Sequence, residues 1–287
     1  MKVLVTGAAG RLGSVVRKEL SRRGYDVLAT DRSADAAEPP LEPADLRDSD
    51  AVFALMRGRD AVVHLGNIPS LGAGSSPQVV LADNVAMNAN VFQAAQELGV
   101  GQVVFASSLQ AMIRLDGGRP SRAPYTIPYF PLDGDAPANP GHNNYGLSKE
   151  VGERVLRSLS EQEPARRCTT LRFPMLAGAW LHERARQPVP LASINFGEAL
   201  TYLELADAAQ LVALVLERQG PGYHQYFPAQ TLELEGYDAR RILTEFYPET
   251  PRRLPLERIQ TLVDRSALER DLAFSPSAPL TLRLERR

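Results

Sequence analysis

Along the first 175 positions, apolar residues recur in two alternating rhythms. Short β-branched runs at Lys2–Thr6, Asp26–Thr30, Ala61–Leu65, Gln102–Ala106 and Thr169–Phe173 predict strands. Between them, apolar positions at helical spacing predict helices over Leu12–Arg23, Asp48–Met56, Gln78–Leu98 and Asn144–Leu159, the last followed by the breaker Pro164. Strands alternating with helices form βαβ units with right-handed crossovers, which gives an α/β class and a Rossmann-type, doubly wound parallel sheet. The stretch Asp116–His142 is too rich in proline and glycine for regular structure. Lying between a strand and a helix, it is expected at the carboxyl ends of the strands, where ligands bind in such sheets. Beyond Pro174 the alternation weakens, leaving one clear helix around Leu205–Glu217 and short pieces punctuated by proline. The chain therefore divides into a sheet domain, residues 1–174, and a small lobe, residues 175–287, interleaved with it and separated by no visible linker.

Composition narrows the function classes. The 287 residues, 44% hydrophobic and 23% charged, suffice for a large core. A net charge of -2 without long single-sign runs offers no electropositive field for nucleic acid. No apolar stretch approaches the roughly 18 residues that a membrane span needs, and Met1-Lys2 leads straight into Val3-Leu4-Val5 and glycines. No membrane partner and a cytoplasmic location are expected. The single cysteine, Cys168, excludes an internal disulfide, and four scattered histidines without a second thiol argue against a metal site. Lysine stands only at positions 2, 18 and 149 among 32 basic residues. A lysine retained in so arginine-rich a chain marks a place where arginine does not serve.

Thr6-Gly7-Ala8-Ala9-Gly10-Arg11-Leu12-Gly13 follows the first strand and opens the first helix. Its glycines stand where a tight turn and the close approach of a pyrophosphate are required, with free helix N–H groups facing the phosphates. Asp31 ends the second strand, near the offset expected of a carboxylate that binds the adenosine ribose hydroxyls and repels a 2′-phosphate. That favours NAD, while Arg32 beside it is the feature that would suit NADP.

Tyr145-Gly146-Leu147-Ser148-Lys149 sets a phenol and an ammonium one helical turn apart on one face. A phenol is a poor base at neutral pH, and a fixed cation beside it lowers its pKa. A partner hydroxyl is expected at the end of a neighbouring strand, where Val103-Val104-Phe105-Ala106-Ser107-Ser108 offers two candidates.

Taken in order, TGAAGRLG, Asp31, Asp45-Leu46, His64-Leu65-Gly66-Asn67, Asn84-Val85, FASS and YGLSK resemble the extended short-chain dehydrogenase/reductase family, also called the NAD-dependent epimerase/dehydratase family. A fainter echo lies at Leu205-Ala206-Asp207. The resemblance implies that Ser108 positions the substrate oxygen, Tyr145 is the acid/base, and Lys149 tunes Tyr145 and holds the nicotinamide ribose. It implies a cofactor site built from Gly7, Ala9, Gly10, Arg11, Leu12 and Gly13 at the phosphates, and Asp31 and Arg32 at the ribose. Asp45 and Leu46 flank the adenine, Leu65, Gly66 and Asn67 line the nicotinamide side, and Asn84, Ser107 and Phe173 complete the pocket. A homodimer through the Gln78–Leu98 and Tyr145 helices is also a family-level expectation.

Departures from the family pattern narrow the chemistry. Leu109-Gln110 stand where dehydratases carry an acidic pair, which argues against dehydration. Met175 follows Pro174 where nucleotide-sugar epimerases usually show an asparagine, and Leu200-Thr201 lack the arginine of a diphosphate anchor. The FASS strand and His-Leu-Gly look similar to uronate dehydrogenases, which oxidise free sugar acids, so that is the leading subtype among sugar and sugar-acid substrates. An epimerase with tightly held NAD is the alternative, and a dinucleotide-sensing regulator without turnover the alternative of another class. His64 reads as structural, Asn143 or Asn144 as a helix cap with His142 close by, Arg114 and Arg122 as candidates for a substrate carboxylate, and Trp180 and Phe196 as filling of the second lobe.

Overall fold

The computed structural model describes residues 1–32, 41–69, 74–115 and 125–285. The first half alternates as its hydrophobic rhythm predicts: β1 (Lys2–Thr6), α1 (Arg11–Arg22), β2 (Asp26–Asp31), the two-residue β3 (Glu42–Pro43), α2 (Ser49–Met56), β4 (Ala61–His64), α3 (Pro77–Glu97) and β5 (Gln102–Ser108). A short antiparallel pair, β6 (Arg114–Leu115) and β7 (Tyr125–Thr126), precedes α4 (Asn144–Gln162) and β8 (Arg167–Phe173). After residue 174 come β9 (Met175–Ala177), α5 (Ala179–Ala185), β10 (Thr201–Glu204), α6 (Leu205–Arg218), β11 (Gly222–Tyr226), β12 (Gln230–Thr231), β13 (Glu233–Leu234), α7 (Ala239–Phe246), α8 (Ser266–Leu272) and β14 (Thr281–Leu282).

Seven strands make one parallel sheet in the order β11-β8-β5-β4-β1-β2-β3. Its central strands are buried on both faces: β5 and β4 are buried at every position, because helices cover both sides. On one face α1 and α6 pack together over Val3, Val5, Val63 and Leu171, and on the other α2, α3 and α4 close over Leu4, Val62, Val103 and Phe105. Side-chain caps start α2, α3, α4 and α7. Ser76 caps α3 with Pro77 at its first position, and Asn143 caps α4 by accepting from the Gly146 N–H at 3.1 Å.

The division at residue 174 separates the sequence but not the space. Both α6 and β11 lie beyond it, yet β11 pairs with β8 from Gly222↔Arg167 to Tyr226↔Leu171 at the edge of the main sheet, and α6 lies on α1. What remains forms the lobe, with the sheets β12-β10-β9 and β13-β14 around its own apolar core. The described part of the Asp116–His142 stretch belongs to that core rather than overhanging the cleft. Ile127, Phe130, Leu132 and Ala136 are buried in it, and the backbone of Phe130 and Leu132 bonds to Pro251 and Leu262. These apolar residues sit among prolines without periodicity, so nothing local announced their burial.

Candidate active site

A cleft of about 830 Å³ runs across the carboxyl ends of the central strands, from the glycine loop to the start of α4. At one end Gly7, Ala9, Gly10, Arg11, Leu12 and Gly13 line it. Gly7 holds φ +66°, and a Cβ there would lie 2.7 Å from the Gly66 backbone, so the turn admits only glycine. α1 follows its N-cap Gly10 with no side-chain cap and no acidic residue in its first turn, which leaves its leading N–H groups open to an anion. Asp31 ends β2, its carboxylate accepting the N–H groups of Ala9 at 3.0 Å and Arg32 at 2.7 Å. Asp45 and Leu46 line the same wall, and the guanidinium of Arg47 on Asp45 holds that carboxyl down at about 2.

At the other end Ser108, Tyr145, Lys149, Leu65, Gly66 and Asn67 come together, with Phe173 and Ser107 also in the wall. β5 runs two residues further than its apolar pattern predicts, and this places Ser108 at the strand's tip. Asn84 does not line the cleft. Its amide clamps the backbone of Ile68 (2.8 and 3.1 Å) and donates to the Ser148 hydroxyl (3.1 Å), joining α3, α4 and the loop after β4 from beneath. The hydroxyl of Ser107 turns away from the cleft and donates to Glu153 at 2.5 Å, completing a buried pair in which Arg172 grips Glu153 with two nitrogens (2.9 and 2.6 Å). Successive side chains of a strand point to opposite faces, so of the two serines only Ser108 faces Tyr145.

The Lys149 ammonium donates to the Ala106 carbonyl at 2.7 Å and to Asn67 Oδ1 at 2.6 Å, and lies 5.6 Å from the centre of the Tyr145 ring. A relay fixes Asn67 in turn. Thr6 Oγ1 accepts from the N–H groups of Leu65 and Gly66 (3.2 and 3.1 Å), so its own proton goes to His64 Nδ1 at 2.8 Å. His64 Nε2–H then donates to Asn88 Oδ1 at 2.9 Å, which also accepts from Asn67 Nδ2 at 3.0 Å. His64 is fully buried between Phe92 and Phe105, and desolvation together with the charge of Lys149 holds its pKa at about 3. It is a neutral positioning group beneath the site.

The phenol departs from its sequence-based expectation. Burial pushes Tyr145 up to about 12, with the Ser108 hydroxyl pulling it down and the Glu198 carboxylate pushing it further up. Burial also brings Lys149 down to about 7. The ammonium is committed to Ala106 and Asn67, and desolvation dominates at the phenol.

Other expectations divide. Asn143 is the α4 cap, His142 is exposed, and Phe196 is buried in the lobe, whereas Trp180 is exposed and lines a second cavity instead of filling the core. Arg114 lies outside the cleft lining, and Arg122 lies outside the described residues. Sequence reasoning missed Arg47, Gln110 and Glu198 as cleft residues. Arg47 directly follows Asp45-Leu46 and Gln110 lies two residues after FASS, so adjacency was a usable signal for both. Glu198 carries no local signal, being some 50 residues from Tyr145 along the chain.

Over 162 residues the chain is 34% identical to the uronate dehydrogenase of Pseudomonas putida, covering 54% of this chain and 53% of that protein. The uronate dehydrogenase of Agrobacterium fabrum is 34% identical over 164 residues, 54% of each. The chain thus spans about half the length of the curated relatives it matches. Two solved structures share the fold. UDP-glucose 4-epimerase from Bifidobacterium longum, in complex with NAD+ and UDP, superposes with a TM-score of 0.67 at 16% identity over 98% of this chain and 95% of that one. A mutant uronate dehydrogenase from Agrobacterium tumefaciens complexed with NAD gives 0.64 at 22% identity over 97% and 85%. The family profile of the NAD dependent epimerase/dehydratase family matches residues 3–219, and the chain belongs to that family.

Proposed function

We propose that the protein is an NAD-dependent oxidoreductase that moves a hydride between the nicotinamide and a hydroxyl- or keto-bearing carbon of a sugar or sugar acid. One observation carries this reading: Ser108, Tyr145 and Lys149 converge at one end of a cleft whose other end is a glycine turn under an uncapped helix N-terminus, with Asp31 beyond it. The cradle fits a dinucleotide. A Cβ at Gly7 would collide with backbone where a pyrophosphate needs close approach, and the open N–H groups of α1 suit its charge. Asp31 suits ribose hydroxyls and opposes a 2′-phosphate, which supports NAD over NADP. The relatives that are uronate dehydrogenases support a sugar-type substrate.

Bound NAD supplies the hydride acceptor and, when oxidised, a positive ring. The chain's own groups do the rest. Ser108 holds the substrate oxygen, Tyr145 exchanges its proton with that oxygen, and Lys149, oriented by Asn67 and Ala106, favours the ionised phenol. Because burial alone leaves Tyr145 near 12, the base form depends on positive charge gathered beside it. With NADH absorbance followed over aldoses, uronates and nucleotide sugars, Tyr145→Phe is expected to lower turnover by about 10²–10⁴-fold while leaving NAD binding intact. A variant with full turnover would end this assignment.

A second reading, an epimerase that keeps its NAD, draws support from the cavity of about 650 Å³ that adjoins the catalytic end and gives room for a larger substrate. Retention of the dinucleotide through purification distinguishes it. A homodimer pairing α3 and α4, and a cytoplasmic location, belong to the same proposal. Val79 and Val155 are exposed apolar positions on those helices that a partner would cover.

A further inference from the structure

Glu198 stands where two cavities meet. It lines the cleft with Ser108, Gln110 and Tyr145, and with Met175 it also lines the adjoining cavity in the lobe. The backbone is bent unusually to put it there. The next two residues, Ala199 and Leu200, both adopt left-handed conformations, at φ 57° and 53°, and both are buried. Surrounding bonds hold the bend: Thr201 donates its N–H (3.1 Å) and hydroxyl (2.8 Å) to the Glu198 carbonyl, the Leu232 N–H donates to the Leu200 carbonyl (2.7 Å), and the Tyr247 hydroxyl donates to the Phe196 carbonyl (2.6 Å).

The carboxylate is aimed as well as placed. Gln110 Nε2 donates to Glu198 Oε1 at 3.0 Å, while Gln110 Oε1 accepts from Asn143 Nδ2 at 2.8 Å, which ties the acid to the cap of the Tyr145 helix. Among the described residues no hydrogen bond reaches the other oxygen, Oε2. The negative charge reaches the reacting phenol, being one of the forces that push Tyr145 up.

The cations of the two cavities have other partners. Among the described residues of the cleft, Lys149 is held by Asn67 and Ala106, Arg11 by the Leu176 carbonyl, and Arg47 by Asp45 and Asp83, while Arg32 follows Asp31 at the far end. In the lobe cavity Arg184 donates to Ser193 and is accompanied by Glu183 as well as Glu198.

Resting on the oxidoreductase reading, we propose that Glu198 determines specificity. Its carboxylate accepts hydrogen bonds from the hydroxyls of a neutral polyhydroxy substrate and repels a substrate carboxylate, so the enzyme takes neutral sugars in preference to the corresponding sugar acids. A like charge placed opposite another costs binding, and an acceptor that hydroxyls satisfy adds to the preference.

Glu198→Gln keeps the shape and removes the charge, and Glu198→Asp keeps the charge. Calorimetric titration of the NADH-loaded protein with aldose–uronate pairs (galactose and galacturonate, glucose and glucuronate, mannose and mannuronate) reads binding without turnover, and kcat/KM for the same pairs reads it with turnover. The expected result is that the unaltered chain favours a neutral sugar by about tenfold or more, that Glu198→Gln erases about tenfold of that ratio, and that Glu198→Asp retains it. A merely structural role would weaken both members of a pair alike and leave the ratio unmoved. The proposal is overturned by a preference for the uronates, by an unchanged ratio in Glu198→Gln, or by binding of neither member of any pair. Absence of thermal stabilisation by NAD or NADH would instead overturn the oxidoreductase reading itself.

Discussion

At Tyr145 two forces oppose each other: the acid/base role proposed for it needs a low pKa, and the packing that fixes it in place raises that pKa to about 12. A cation one turn away is not enough, because Lys149 is itself desolvated to about 7 and committed elsewhere. The same desolvation governs His64, held at about 3 against an ordinary value of 6.5. Its folded pKa lies below its unfolded one, so between these values the unfolded chain binds the proton and the folded chain does not. Stability attributable to His64 is therefore complete above about pH 6.5 and declines as pH falls toward 3, by ~1.4 kcal/mol per pH unit. Urea midpoints of the unaltered chain and His64→Gln across this range should diverge on the acidic side, with the steeper loss in the unaltered chain. Parallel curves would show that His64 protonates freely while folded. The left-handed pair Ala199 and Leu200 belongs to this scale too, each costing about 1–3 kcal/mol and retained beside the site.

Elements meet at backbone contacts that side chains would prevent. α4 docks on the turn that follows β5 through Gly146, where a Cβ would lie 2.2 Å from the Gln110 carbonyl oxygen and 2.8 Å from Pro140 Cβ. Helix propensity alone favours alanine over glycine by about 1 kcal/mol. The collision with a fixed carbonyl reverses that preference and would tilt the start of α4, which carries Tyr145. Gly146→Ala is expected to lower kcat/KM by about 100-fold with helix content by circular dichroism unchanged, since a misplacement of about 1 Å costs that much. Near-normal turnover would mean that the turn yields and that the contact does not set the geometry. On the other side of α4, Glu153 anchors Arg172, whose Nη1 donates to the carbonyls of Gly134 (3.2 Å) and Ala136 (2.5 Å). One buried pair thus joins α4, β8 and the segment leading into the lobe, and a buried charge is tolerated because each partner is satisfied.

For the molecule as a whole, the chain's return after residue 174 decides what folds as a unit. α6 buries nine of its positions against the sheet and α1, and β11 shields the edge of β8. Removing them would expose the face formed by Val3, Val5, Val63 and Leu171 and open a hydrogen-bonding strand edge. A fragment of residues 1–174 is accordingly expected to lack cooperative unfolding and dispersed amide resonances. A fragment that unfolds in one sharp transition would establish the first 174 residues as an independent domain.

The alternation of strands and helices, the glycine turn, Asp31, and the Tyr145–Lys149 pair are all written locally, in periodicity and in spacings of a few residues, and those features the sequence determined by itself. Local rules hold there because hydrogen bonding and burial repeat with the period of each element. What only tertiary structure decided depends on residues far apart in the chain. Ser107 turned to Glu153 while Ser108 faced the cleft, because the strand ran two residues past its apolar pattern. Asn84 became a clamp beneath the site, the region after residue 174 returned to the main sheet, and Glu198 arrived beside Tyr145 on a left-handed bend. Burial and long-range contact set each of these, along with the pKa of the phenol, and neither quantity is a property of a short stretch of sequence.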